Sequence, residues 1–424
     1  MSEATLLQRR HRVMGDASPL FYDQPLELVK GEGVWLTDAG GKRYLDVYNN
    51  VPSVGHCHPR VVAAMAEQAA NLNIHTRYLT ERIVTYAERL TATFAEPLDS
   101  LMFTCTGSES NELALRMARF ETGRMGVIVS DYNYHGNTAS LAELATALPR
   151  SEPLPPHVRA VPIPCLYHTQ GSAEELAERY VAKVAEAIAS LQEAGFGLAA
   201  LLIDTLFANE GIPRLPAGYL ERVARLVREA GGLLIADEVQ AGFARTGEHM
   251  WGHQAHPLEP DLVTLGKPMG NGFPLAGVVA ARERVEAFGR RHLYFNTYGG
   301  SPVAAAVGLA VLDVIRDEQL QDNALRVGAR LEAGLGRLAE RHPLIGDVRG
   351  KGLFFAAELV LDGQSREPAG TEARRIVNQM RERGVLISKI GAHDNILKIR
   401  PPLVFNDDHC DYFLDTLDSV LTGL

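Results

Sequence analysis

Residues 261–280 read DLVTLGKPMGNGFPLAGVVA. Leu262, Val263 and Leu265 make an apolar run too short for a helix, and Leu275 to Ala281 make a second; Lys267 and a Pro, Gly, Asn, Gly turn lie between them. Four earlier runs have the same character: SLMFTCT (100–106), GVIVSD (126–131), LAALLIDT (198–205) and GGLLIADEV (231–239). Strands that are apolar throughout have both faces covered, and helical spacing between them predicts an α/β fold with a mostly parallel sheet. Within that pattern Lys267 is out of place. An ammonium at the end of a core strand loses its hydration, so it needs a chemical reason to be there.

The flanks suggest a second, smaller lobe. GVWLTDAGGKRYLDVY (33–48) alternates around a DAGG turn as a hairpin does, and HPRVVAAMAEQAANL and TERIVTYAERLTATF carry helical spacing. A long helical region runs from Pro302 to Leu338, and strands and helices then alternate in an α+β manner to the end. The expected division is 1–58 as the N-terminal part of a small domain, 59–310 as the large domain and 311–424 as the rest of the small one, which suits a chain of 424 residues. The proline-rich piece LPRSEPLPPHVRAVPIP (148–164) reads as a surface crossover loop.

Composition narrows the class. A formal charge of −10 argues against a nucleic-acid surface. Four scattered cysteines without a CxxC pair argue against a disulfide framework or a zinc site and fit a reducing cytoplasm. No segment approaches the roughly 20 apolar residues of a membrane span, and the first residues hold no apolar run like a signal peptide. GHCH (55–58) has metal-ligand residue types, yet adjacent side chains diverge; a turn before a helix opened by Pro59 is expected, and no metal.

Ligands in open α/β sheets bind beyond the carboxyl ends of the strands. Thr106-Gly107-Ser108 leads from a strand into a helix, whose free N–H groups suit a phosphate; Ser108 equally suits a plain N-cap. Asp237 follows four apolar strand residues and needs a cationic or hydrogen-donating partner, which a ring N–H or a structural arginine could supply. Tyr132, Tyr134 and His135 crowd beside Gly136 and offer an aromatic face for a planar ring. Lys267, 30 residues beyond Asp237, is the candidate nucleophile, desolvation favouring its free amine. Pyridoxal 5'-phosphate uses all four features together.

These motifs carry a resemblance to the class III (ω-) aminotransferases of PLP fold type I. DEVQAGFARTG (237–247) and TLGKPMGNGFPLAG (264–277) are long and specific, and the likeness extends from GEGVWLTDAGGKRYLD to LKIRPPLVF. It implies that Lys267 holds the cofactor as an internal Schiff base and moves protons, that Asp237 pairs with the ring nitrogen, and that Val239 packs on the ring. It further implies that Gln240 bonds the ring hydroxyl, that Gly107 and Ser108 hold the phosphate, and that Tyr134 stacks with His135 beside it. Thr297 would reach the phosphate of the neighbouring subunit, so a homodimer with shared sites is implied. Within the family the chain is most similar to phospho-lyases acting on ethanolamine phosphate and 5-phosphohydroxylysine, in YNNVPSVGHCHPRV, LNIHTRYLTERIVTYAERL and FNTYGGSPVAAAVGLAVLDVI.

That branch implies elimination of phosphate and ammonia from a small phosphorylated amine to give an aldehyde. Arg77 is the candidate for the leaving phosphate, with Tyr78, Asn50 and Arg400 as further substrate contacts. Three departures stand out: CTGSESN replaces the usual NSGSEAN, Asp204-Thr205 replaces a usual Glu-Pro, and Arg400 stands where the branch often has lysine. An arginine there resembles the carboxylate clamp of ordinary ω-aminotransferases, which keeps amine transfer to a keto acid as the alternative. A non-catalytic PLP-binding protein is the third reading, which the Lys267–Asp237 pair argues against.

Overall fold

A computed structural model describes residues 5–150 and 152–424. The N-terminal strands β1 (Leu28–Glu32), β2 (Trp35–Asp38) and β3 (Arg43–Asp46) form an antiparallel meander, turned by the DAGG segment. Val385–Leu386 adds to it in parallel beside β3, so the two ends of the chain share one small sheet.

The central sheet has seven strands: β4 (Ser100–Thr104), β5 (Gly126–Ser130), β6 (Val158–Val161), β7 (Leu198–Asp204), β8 (Leu233–Asp237), β9 (Leu262–Leu265) and β10 (Ala276–Ala280). Their spatial order is β4-β10-β9-β8-β7-β5-β6, and only β10 runs against its neighbours. Every residue of β5, β7, β8, β9 and β10 is buried, as continuous apolar strands require. The α/β architecture with a mostly parallel sheet is thus as the apolar runs predict.

One expectation is corrected. The segment 148–164 is not all loop, because Val158–Val161 forms the edge strand β6, parallel to β5. Pro155, Pro156, Pro162 and Pro164 bracket it, and only an edge strand with one free side tolerates such flanks.

The third sheet is antiparallel, with β11 (Ile345–Lys351), β12 (Phe354–Leu359), then β13 as the Val385–Leu386 strand of the first sheet, β14 (Ser388–Ile390) and β15 (Ile396–Ile399); its order is β11-β12-β15-β14. The helix Pro302–Asp317 is buried along most of its length against the helices Pro59–Asn71 and Glu81–Thr91. The expected boundary after residue 310 falls within this helix. Among the described residues no helix is long and apolar enough to cross a membrane.

Strands β4, β5, β7, β8 and β9 point the same way, so Thr104, Ser130, Asp204, Asp237 and Leu265 end at one edge of the sheet. β15 of the third sheet approaches that edge, since Lys398 reaches the backbone of Ala208 just beyond β7.

Candidate active site

Asp237 ends β8, and its carboxylate is buried at the floor of the cleft. Its Oδ2 accepts from Asn111 Nδ2 at 2.9 Å and contacts His135 Nδ1 at 2.7 Å, while Oδ1 accepts only the Val239 N–H at 3.0 Å. Oδ1 therefore keeps a lone pair for one more donor. Asn111 is itself fixed, because its Oδ1 accepts from Thr264 at 2.6 Å and its Nδ2 also reaches the His135 carbonyl at 2.8 Å. The neighbouring Glu238 faces away and anchors the backbone N–H groups of Gly252 and His253.

The helix Gly107–Thr122 starts at the end of β4. Thr106 caps it by accepting from the Glu109 N–H, and the Glu109 side chain returns the bond, a capping box. The N–H groups of Gly107 and Ser108 then have no acceptor within the helix. Glycine at 107 is needed: a Cβ there would lie 2.9 Å from both γ-carbons of Val239. Gly266 has the same constraint, with a Cβ reaching 3.1 Å from Val239 and 3.2 Å from the Gly107 backbone. Gly136, at φ 145°, brings the Tyr134–His135 loop down onto Ser108, whose Oγ accepts from Asn137 N at 3.2 Å.

Lys267 follows β9 by two residues and is largely enclosed. Burial, and then the Arg400 guanidinium, push its pKa below that of a free lysine, while Asp237 and Asp204 oppose the shift. More of the amine is therefore unprotonated, as a nucleophile requires.

Gln240 is the most informative fit test. Its Oε1 accepts from Lys398 Nζ at 3.0 Å and from Arg400 Nη1. Two cationic donors fix the amide flip, so Nε2 is turned the other way as a donor, with no acceptor among the described residues. A donor there suits an anionic phenolate oxygen. The spare lone pair of Asp237, the glycine-lined N–H cradle and the oriented Gln240 amide together fit pyridoxal 5'-phosphate.

Lys398 was not among the residues singled out from the sequence. It and Arg400 are two apart at the end of β15, so their side chains leave the same face. Both are buried, and burial with mutual repulsion holds the pKa of Lys398 well below that of a free lysine. Asn50, also buried, donates to the Gln240 carbonyl at 3.4 Å. Asp204, paired in register with Asp237, faces Lys398 and is pushed up by burial and by the Asp237 charge; Leu206 N and Ala208 N donate to it at 2.9 and 3.3 Å.

Other expected residues lie apart from this cluster. Tyr134, next to the buried His135, is 37% exposed. Arg77 and Thr297 are exposed, and Arg77 stacks its guanidinium 3.9 Å from the centre of the Phe295 ring. His75 joins that group, stacked on Tyr78 at 5.2 Å and edge-on to Phe295 at 5.5 Å. The Arg77 backbone N–H donates to His75 Nδ1 at 3.3 Å within the same turn. In GHCH, His56 bonds Asp46 at 2.7 Å and His58 bonds Glu318 at 3.0 Å.

Comparison with known proteins agrees with this geometry. The family pattern described as aminotransferase class-III matches residues 21–421. An alanine–glyoxylate aminotransferase 2-like protein of Drosophila melanogaster is 40% identical, over 100% of this chain and 88% of its own. An ethanolamine-phosphate phospho-lyase homolog of Caenorhabditis elegans is 36% identical, over 99% and 94%. The solved structure of a phospholyase from Arthrobacter in complex with phosphoethanolamine is 52% identical, with a TM-score of 0.97 over 99% of this chain and 100% of that one.

Proposed function

The chain belongs to the class III aminotransferase family, with pyridoxal 5'-phosphate as cofactor, and from that premise we propose that it is a phospho-lyase acting on a small phosphorylated amine such as O-phosphoethanolamine. The observation that carries the reading is the buried pair Lys398 and Arg400, which converge on one amide oxygen beside Lys267. Lys398 and Arg400 lie together beside Lys267; Asp204 acts on both, Glu210 on Lys398 and Asp46 on Arg400, while Asp237 is already engaged by His135 and Asn111. Two buried basic side chains converging on one point offer several N–H donors to an anion, and a phosphate, with three terminal oxygens, takes more of them than one carboxylate does.

The bound cofactor supplies an electron sink for the carbon that bears the substrate amine. Asp237 Oδ1 supports that sink by accepting from the ring nitrogen, and Gln240 Nε2 donates to the ring oxygen. Gly107 and Ser108 would hold the cofactor phosphate through their N–H groups, and Tyr134 would lie over the ring. Lys267 Nζ, its proton affinity lowered, takes the proton from the amine-bearing carbon. Phosphate then leaves from the adjacent carbon, its charge met by Lys398 and Arg400. With one water, O-phosphoethanolamine yields acetaldehyde, ammonia and phosphate, and no keto acid takes part.

Arg77 enters this scheme from the other subunit of a homodimer. It packs beside Phe295, two residues before Thr297, which the family resemblance places at the neighbouring subunit's cofactor phosphate. The alternative, transfer of the amine to pyruvate or another keto acid, draws support from the alanine–glyoxylate aminotransferase relative and from Arg400 as a lone carboxylate clamp. Phosphate release from O-phosphoethanolamine, measured with and without pyruvate, separates the two. Release at the same rate in both is expected; alanine formation with no phosphate released would overturn the lyase reading.

A further inference from the structure

His135 Nε2 and Glu210 Oε2 are both closed off from solvent, and neither has a hydrogen-bond partner among the described residues. The two residues belong to adjoining segments: Asn209 Nδ2 reaches the Tyr134 carbonyl at 3.5 Å, and Ser130 donates its hydroxyl to Glu210 Oε1. An isolated buried polar atom is destabilising, and one water between two such atoms satisfies both. We propose that Glu210 is a positioning residue for the ring-facing Asp237: through one bridging water it holds the His135 imidazole as a cation against that carboxylate.

The far side of His135 is fixed already, with Nδ1 2.7 Å from Asp237 Oδ2. With Nδ1–H donated there, Nε2 presents a bare lone pair when the ring is neutral and an N–H when it is cationic. A neutral ring accepts an O–H from the bridging water and a cationic ring donates to its oxygen; the negative charge of an ionised Glu210 favours the cation. Glu210 is pushed up to about 7 by burial and by Asp204, and His135 is held above the usual imidazole value, the Asp237, Glu210 and Asp204 charges outweighing burial. The same negative charges that raise the proton affinity of His135 thus include the carboxylate of Glu210. The charged groups facing the pair are Asp237 at the end of β8, Asp204 at the end of β7 and Lys398 on β15.

Glu210 also lines a cavity of about 460 Å³ between the central and third sheets, together with Tyr132, His168, Arg349 and Glu358.

The proposal rests on the cofactor reading, yet it can be tested in apoprotein. Ring signals of 13C-labelled histidine are followed against pH by NMR, with His135 assigned from the spectrum of His135→Gln. Glu210→Gln is expected to lower the His135 midpoint by about one pH unit, a tenfold loss of proton affinity. Glu210→Asp, which keeps the charge, should retain a midpoint above that of the glutamine variant. An unchanged midpoint in a folded Glu210→Gln protein would overturn the proposal. Should that variant not fold, Ser130→Ala, which frees the carboxylate, is expected to give a smaller shift in the same direction, and no shift would overturn the proposal equally. Failure of the cofactor reading shows differently: the parent protein would form no visible chromophore with pyridoxal 5'-phosphate, while the histidine titration stays readable.

Discussion

Lys398 concentrates the chemistry at the scale of single residues. A lysine buried beside Arg400 and Lys267 gains little from the fold as a cation, and burial is the first cause of its lowered pKa. Replacing it by methionine keeps the stem and removes the cost, so Lys398→Met is expected to leave the melting temperature unchanged or higher. If the ammonium meets the substrate phosphate, the same variant should raise KM for O-phosphoethanolamine about tenfold to a hundredfold, the ~1.5–3 kcal/mol of a charged hydrogen bond. A KM that stays put while stability rises would remove Lys398 from substrate binding. The pH dependence has a definite sign. Only protonated Lys398 binds phosphate, so KM should climb with pH through the lowered pKa, below the 10.5 of a free lysine. In Lys398→Arg that climb should move to higher pH. Stability runs the other way: between the folded value and 10.5 the unfolded chain binds the extra proton, so the fold gains stability as pH rises there.

Elements carry the cofactor cradle, and there the sequence was legible in part. An ionisable residue at or just past the end of an apolar strand marks Asp237 and Lys267, because the apolar run before them leaves no solvated alternative. The helix start at Gly107 was legible as a phosphate site or a cap; the capping box occupies Thr106 and Glu109 and leaves Gly107 and Ser108 open. Lys398 and Asp204 were not legible as site residues. A lysine alternating with apolar residues at a strand end normally reaches solvent, and the pairing of Asp204 with Asp237 depends on a register set 33 residues apart. β6 was missed because prolines on both sides mimic a loop. The cradle itself makes a sharp prediction. Gly107→Ala puts a Cβ within 2.9 Å of both Val239 γ-carbons, which overpacking costs put at about 1–3 kcal/mol. The dissociation constant for pyridoxal 5'-phosphate, read by visible absorbance, should rise about tenfold or more. Gly107→Ala combined with Val239→Ala should recover part of that loss, because the clash partner is gone. No recovery in the double variant would show that the cradle does not depend on this contact.

At the scale of the whole molecule the site residues divide into two groups. Lys267, Asp237, Gln240, Lys398 and Arg400 converge through the ends of β8, β9 and β15, whereas Arg77, Tyr78 and Thr297 sit with Phe295 on another surface. That second surface exposes Leu79 at 99%, Leu293 at 93% and Tyr298 at 76%. Exposed apolar side chains close to residues with an assigned task are the pattern of a face meant to be covered. The proposed twofold homodimer would cover this face with a second copy, and its two subunits would then complete each other's sites. Complementation tests this directly. Lys267→Ala and Arg77→Ala proteins are each expected to be nearly inactive as phospho-lyases. When they are mixed under conditions of subunit exchange, half the dimers are mixed, and each has one site with an intact Lys267 and an intact Arg77 from across the interface. Activity should return to about a quarter of the parent value, the fraction that random twofold pairing gives. If Arg77 served its own chain, every site in the mixture would lack one of the two residues and no activity would return. Equal loss without recovery, in protein that sedimentation shows to be dimeric and exchanging, would therefore move Arg77 back to the cleft of its own subunit.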